Sequence, residues 1–472
     1  MKHWIVLALL YSAFAALAWH QIPGVPYPYD EADYMFAASR GLRANYTDSP
    51  TMPIGEFVRT GLSRGRATGA RTELSEQIRS SNDIVFYRHW HGPLYFYWLL
   101  SVSRFSANPQ IVRTAQLIFP ILGGLLIWCG CLRLLPDPCG WYAAILSTAL
   151  YLWSEAVLRS PELAPHQLFA LCSLGVLFLL AAMMKTGERR YWYGAVVCSA
   201  LAACTLEVAF VPAIAVLICG HLKRRELGTD LRFAAKSAAL FLLTLLAIWP
   251  GAILRLSFLK AYAFMAWLAI FRSHAWGTDM SIGQVWLMRF EHAPLEWLII
   301  VAGVIALLRA PSGERRMLLP FGLFALLMIA AVFRVNGDSA RYTLPFMPAL
   351  DVLAGVGIGC RLASMSRTTA AVVLGVLCVG LFCSRWYSLR SRPLGDGAGD
   401  RQVLAWVHDH GLEHSRLLVP HDELPMLHYY FPNASITGYT DDSSLAADRA
   451  RGGFAAILWP GEPLRYELNP QP

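Results

Sequence analysis

Apolar residues in this chain gather in long runs instead of alternating with polar ones. Eleven runs reach or approach the roughly 17–25 residues that a helix needs to cross a bilayer. They lie near 4–20, 110–132, 141–157, 166–184, 191–205, 206–222, 233–253, 294–309, 317–333, 343–360 and 368–385. Two are short, and Glu207 and Pro212 split the stretch 191–222. A further run, GPLYFYWLLSVSRF from Gly92 to Phe105, has only about a dozen apolar positions, a length that predicts an interfacial or re-entrant helix and not a span.

The loops between the runs carry an orientation. With 92–105 kept out of the bilayer, one set of loops collects Arg133; Lys185, Arg189 and Arg190; Lys223, Arg224, Arg225 and Arg232; Arg309, Arg315 and Arg316; and Arg361 and Arg367. Lys2 falls on the same side, which the positive-inside rule makes cytoplasmic. Counting 92–105 as a crossing would put these clusters outside. The parity predicts eleven spans, an inward N-terminus and four outward segments: 21–90, Ser154–Pro165, 254–293 and the tail from Trp386. The tail mixes helix-like patches such as DRQVLAWVHDHG with strand-like ones such as ASITGY. We therefore expect a polytopic α-helical membrane domain over 1–385, with a first outer loop and juxtamembrane helices over 21–106. A small outward-facing α/β soluble domain over 386–472 would follow it.

Composition narrows the class. Of 472 residues, 56% are hydrophobic and only 15% are charged, with a mean hydropathy of +0.42; a soluble chain of this length needs more polar surface. The net charge of +8 is spread over short loops, which reads as topology and leaves no nucleic acid among the expected partners. The N-terminal MKHWIVLALLYSAFAALAWHQIP has a basic start but no convincing small-x-small cleavage site, so a retained first span is expected over a signal peptide. All ten cysteines fall in or beside apolar runs, as small core hydrophobes do. They form no disulfide framework and no metal-binding spacing. No internal repeat or low-complexity tract is visible.

Four polar constellations stand out against this background. In PYPYDEADYMFAASRG, Asp30, Glu31 and Asp33 follow the first run directly. An Asp N-cap with further acids in the first turn is what a helix start prefers, with Gly41 as its C′ residue. A carboxylate at an outer interface, flanked by Tyr27 and Tyr29, also suits a base acting on a hydroxyl acceptor. In FYRHWHGPLYFYW, Arg88, His89 and His91 precede a helix start at Pro93. Cations there oppose the helix dipole, so they suit a phosphate; a snorkelling interfacial patch is the other reading, and a His-x-His metal site would need further ligands from elsewhere. In WSEAVLRSPELAPHQ, Glu155 and Arg159 have i,i+4 spacing and Glu162 follows, acids close enough to hydrocarbon to suggest function. In RVNGDSARYTLPFMPAL, Arg334, Asp338, Arg341 and Tyr342 sit on the outer side against the charge trend; they imply an anionic partner there, or an Asp338–Arg341 pair.

Together these motifs resemble the GT-C glycosyltransferase superfamily, in the branch related to protein O-mannosyltransferases and the lipid A aminoarabinose transferase. Asp30-Glu31-Ala32-Asp33-Tyr34 fits that branch's Asp-Glu-x-x-Tyr; His91-Gly92-Pro93-Leu94 has Gly for the first Pro of its second motif. Arg113 in IVRTAQL matches an Arg early in the next span, and Arg341-Tyr342-x-x-Pro345-x-x-Pro348 matches a later motif. The match runs in order over residues 1–360. The resemblance implies a catalytic Asp at Asp30 and a second acid at Glu162. Where relatives often carry Arg two residues after that acid, this chain has Ala164, with Arg159 as a possible substitute. It also implies a polyprenyl-phosphate-linked sugar as donor, inversion at the anomeric carbon, and a glycan, lipid or protein acceptor on the outer face of a bacterial inner membrane.

On this reading Asp30 is the base, with Glu31 and Glu162 positioning sugar or acceptor. Arg88, His89, His91 and Arg341 hold the leaving phosphate, and Tyr34, Arg159 and Tyr342 are further candidates. Neither a cofactor nor a metal is expected, since cations can take a metal's place at the phosphate. The rival classes are a secondary transporter, a non-catalytic assembly subunit using the tail, and a GT-C-like ligase or polymerase with a diphosphate-linked donor. A transporter would place its charges at mid-membrane and show repeated halves.

Overall fold

A computed structural model describes residues 2–19, 21–39, 91–160, 162–250, 280–333, 339–392, 397–439, 441–459 and 464–469. Helices dominate it, and every one of the eleven apolar runs carries one. In chain order the first are α1 (Lys2–Trp19), α2 (Tyr29–Ser39), α3 (Leu94–Ser103), α4 (Pro109–Gln116), α5 (Ile118–Leu134), α6 (Cys139–Leu152), α7 (Glu155–Leu158), α8 (His166–Thr186) and α9 (Arg189–Ala203). A 3-10 turn (Glu207–Ala209) leads into α10 (Phe210–Leu222), then α11 (Arg224–Leu227), α12 (Leu231–Ile248), α13 (Ile282–His292), α14 (Pro294–Leu308), α15 (Ser312–Met317) and α16 (Leu319–Val332). A second 3-10 turn (Ala340–Tyr342) precedes α17 (Met347–Ala363) and α18 (Arg367–Ser391).

Apolar run and helix length are not the same quantity. Among the described residues, four helices are long and apolar enough to cross a membrane unaided: Pro109–Leu134, His166–Thr186, Leu231–Ile248 and Arg367–Ser391. The pair α13 and α14 passes only together, across a 95° bend. Several runs break inside their apolar stretch. The run 141–157, for example, ends its helix at Leu152, and Ser154 then caps α7 by accepting from Val157 N–H. The ten residues of α3 rise about 15 Å, half of a hydrocarbon core.

The centre of the bundle is α17, packed between α6 and α14. Its small residues allow this. Any Cβ at Gly355 would collide with Ser147 and one at Gly359 with Ala143, both on α6, while one at Gly357 would strike the Gly303 backbone on α14. Small residues four apart bring backbones together where hydrophobicity gives no drive between helices. At the periphery the pattern reverses. On α12 only Phe233 is buried, and Leu243 is 65% exposed; on α18 Val376 is 66% exposed. Such faces would be a large apolar patch in water, and a bilayer covers them.

α18 continues to Ser391, past the expected boundary at 385. Beyond it come α19 (Ala398–Asp409), β1 (Arg416–Pro420), α20 (Leu424–Tyr430), β2 (Ser435–Tyr439), α21 (Asp442–Arg451), β3 (Ala456–Trp459) and β4 (Arg465–Leu468). The sheet order is β2-β1-β3-β4, with β1 parallel to both neighbours and β4 antiparallel to β3. Central β1 reads Leu417, Leu418, Val419 and is buried on both faces, as a parallel strand requires. This region packs on the segment that carries the first acids. The Tyr430 hydroxyl accepts from Tyr27 N–H at 2.9 Å, and the rings of Tyr429 and Tyr430 lie 5.5 and 6.5 Å from that of Tyr27.

Candidate active site

Three segments far apart in sequence meet at one guanidinium. Asp30 lies in the first turn of α2, where Pro28 C=O already accepts from Ala32 N–H, so it sits inside the helix start and not at its N-cap. Arg341 lies on the 3-10 turn before α17, and Glu162 on the loop between α7 and α8. Arg341 Nη2 donates to Asp30 Oδ2 at 2.5 Å, and Nη1 reaches Glu162 Oε2 at 3.5 Å. Arg341 also donates to the Tyr342 hydroxyl at 3.4 Å, with its Cζ 5.2 Å from that ring. The side chains of Asp30 and Glu162 remain 27% and 42% exposed, against 14% for Arg341. Both acids thus keep partial exposure, while the guanidinium that joins them is more deeply buried. Burial raises the Glu162 carboxyl above its ordinary range, and Arg341 opposes that shift.

The next residue, Glu31, is used differently. Its carboxylate forms a paired contact with Arg113 on α4, Nε to Oε1 at 3.0 Å and Nη2 to Oε2, with the two side chains 2% and 1% exposed. Arg113 spends its other donors on the carbonyls of Pro23, Val25 and Pro26 at 2.8, 2.8 and 3.1 Å. Oε1 of Glu31 also accepts from Leu163 N–H at 2.6 Å. One turn on from Arg113, Gln116 donates to Glu162 C=O at 2.7 Å and accepts from Ala164 N–H at 3.2 Å and from the Tyr95 hydroxyl. The backbone of 162–164 is thus clamped on three consecutive residues, which aims the Glu162 side chain. Asn108 starts this arrangement by capping α4 through Gln110 and Ile111 N–H, with Pro109 at N1.

A third chain of contacts runs behind Asp30. Tyr34, one turn further along α2, has its hydroxyl 3.1 Å from His91 Nε2, and His91 Nδ1 lies 2.9 Å from Glu207 Oε2. A carboxylate only accepts, so Nδ1 carries the proton in this pair. Gly92 follows because the backbone of Cys204 occupies the space a Cβ would need, and Leu94 N–H donates to Cys204 C=O at 3.0 Å. His166, the first residue of α8, completes the wall. Its ring stands edge-on to Tyr342 at 6.1 Å and to His91 at 6.5 Å.

No family model matches the sequence, and no curated protein matches it in sequence. Solved structures do match in fold. ArnT from Cupriavidus metallidurans, in its apo state and bound to undecaprenyl phosphate, aligns with a TM-score of 0.57 at 13% identity, over 94% of this chain and 87% of that one. The oligosaccharyltransferase AglB from Archaeoglobus fulgidus, tethered with an acceptor peptide, aligns with a TM-score of 0.61 at 12% identity, over 97% of this chain and 69% of that one. A second AglB structure, in complex with an inhibitory peptide and a dolichol-phosphate, gives 0.60 at 11%. The chain shares the fold of these structures.

Within this fold the sequence candidates part company. Asp30, Glu162, Arg341 and Tyr342 converge, and Tyr34 and His91 border them. Glu31 does not join them: its two oxygens are taken by Arg113 and Leu163, which makes it a positioning residue. His91 has both ring nitrogens engaged, so it stands as a wall residue and not as a ready phosphate ligand. Arg88, His89, Arg334 and Asp338 lie outside the described residues. Arg159 belongs elsewhere. It pairs with Glu155 at 3.5 Å and donates to Ser388 C=O at 2.9 Å. Glu155 and Glu296 share Arg385, which is 3% exposed. This four-residue network braces α7, α14 and α18, and Arg159 has no part in holding Glu162. Three residues of this site were not marked as such by the sequence, Gln116, His166 and Glu207, nor was Arg113 as the partner of Glu31. Glu207 had a signal, an acid interrupting an apolar run; Gln116 and His166 had none beyond lying beside recognised motifs.

Proposed function

We propose that this chain is an inverting glycosyltransferase that moves a sugar from a polyprenyl-phosphate donor to an acceptor hydroxyl on the outer face of the membrane. The observation that carries the reading is the Arg341 guanidinium joining Asp30 to Glu162 at the mouth of a GT-C fold. Two of the similar structures, ArnT bound to undecaprenyl phosphate and AglB in complex with a dolichol-phosphate, support a lipid phosphate as partner. The charge pattern supports the sidedness. Site and basic loops occupy opposite ends of α8, whose 21 residues rise about 31 Å. At the far end Lys185 donates to Leu134 C=O beside Arg133.

Each group then has a task. Asp30 takes the proton of the acceptor hydroxyl as its oxygen attacks the anomeric carbon. The bond from that carbon to the phosphate oxygen breaks, its electron pair leaves with the lipid phosphate, and the configuration inverts. Arg341 stabilises the developing phosphate charge through its fixed positive charge and its unpaired Nε–H. Glu162, held by the 162–164 clamp, orients sugar or acceptor hydroxyls. The test is Asp30→Asn in a purified assay with lipid-linked sugar. Transfer should disappear while the thermal melt stays in place, and near-normal turnover would overturn the assignment. The AglB likeness, with its tethered acceptor peptide, favours a glycan ligase as the second reading; product analysis with monophosphate- and diphosphate-linked donors separates the two.

A further inference from the structure

The geometry points to His166 as a direct ligand of the lipid phosphate, an inference that rests on the donor class proposed above. His166 is only 7% exposed, yet its Nδ1 is buried without a hydrogen-bond partner. Leaving a buried polar atom unpaired is costly, so such an atom beside an opening marks a place where something else binds. Arg341 Nε is a second buried nitrogen without a partner, and both Arg341 and His166 pack against the Tyr342 ring. The remaining Arg341 nitrogens already face Asp30 and Glu162.

The backbone adds a third contribution. His166 opens α8, a helix of 21 residues whose N-cap position is Pro165 and which has no side-chain cap. The free N–H groups and the positive end of the dipole in that first turn favour an anion. Ser160 Oγ, buried in the loop leading to the same turn, also lacks a partner. An imidazole nitrogen at a bare helix N-terminus, with a guanidinium packed on the same Tyr342 ring, suits the oxygens of a phosphate monoester.

The test uses the purified full chain in detergent, titrated with undecaprenyl phosphate and, in parallel, with undecaprenol, binding being read by intrinsic tryptophan fluorescence. The wild type should bind the phosphate more tightly than the alcohol. His166→Ala should weaken phosphate binding about tenfold or more, as loss of a hydrogen bond to a charged group does, and leave the alcohol unchanged. A role in packing alone would move both ligands together. Should His166→Ala fail to fold, His166→Phe refills the volume against Tyr342 without a ring nitrogen and carries the same expectation. Selective wild-type binding that either folded variant retains in full would overturn the assignment of His166. A wild type that does not distinguish phosphate from alcohol would instead bring down the donor class itself.

Discussion

Asp30 and Glu31 are neighbours in sequence, each paired with one arginine, and they do opposite jobs. The Glu31–Arg113 pair is closed. Both side chains are at most 2% exposed, and every Arg113 nitrogen has an acceptor. The Asp30–Arg341 pair is open, with Asp30 27% exposed and Arg341 Nε unmatched. Saturation, more than residue type, separates structure from chemistry here: a group with all its bonds made has nothing to offer a substrate.

Four substitutions would break or sharpen that contrast. Asp30→Asn should lower transfer by about 10²–10⁴-fold, the usual share of a general base, with an unchanged melting temperature; a turnover assay beside a thermal melt reads both. Arg113→Ala should do the reverse. It leaves Glu31 charged and unpaired in the interior, costing about 3–5 kcal/mol of stability, seen as a lowered melt and poor recovery from membranes. Equal activity loss at equal stability in both variants would erase the distinction. Arg341→Lys keeps the charge but loses the fork that reaches Asp30 and Glu162 together. We expect about a 10–10²-fold fall in kcat, measured at saturating donor, with little change in stability. Tyr430→Phe removes only the hydroxyl that accepts from Tyr27 N–H. The cost should be about 1 kcal/mol, read as a small shift in the melt, because Tyr27 is held from the other side by the Arg113 contacts to Pro26 and Val25.

The two regions also differ in how far they could be read in advance. Asp30 was visible as an acid at the exit of the first apolar run, and Arg341 as an arginine against the charge trend. Arg341 violates a local preference, and such violations show in one dimension; Asp30, itself an acid in a first helical turn, showed only through the motif it heads. The pairing of Glu31 with Arg113 violates nothing: an acid in a helix's first turn is expected, and an arginine near a span end is ordinary. Gln116 and His166 are silent for the same reason. Glu207 was seen as an interruption, but its partner His91 lies 116 positions away. The span count shows a similar limit, since hydropathy marks where a chain is apolar and caps and prolines decide where a helix stops.

By itself the sequence determined the helical membrane class, the alternation of basic loops and the clustering of chemistry near one end of the bundle. These follow from hydrophobicity and charge, which sum along the chain without regard to partners. Tertiary structure alone decided which carboxylate stays partly exposed beside its arginine. Burial and hydrogen-bond saturation are properties of the space around an atom, and that space is built from residues 82, 132 and 311 positions away in these two pairs.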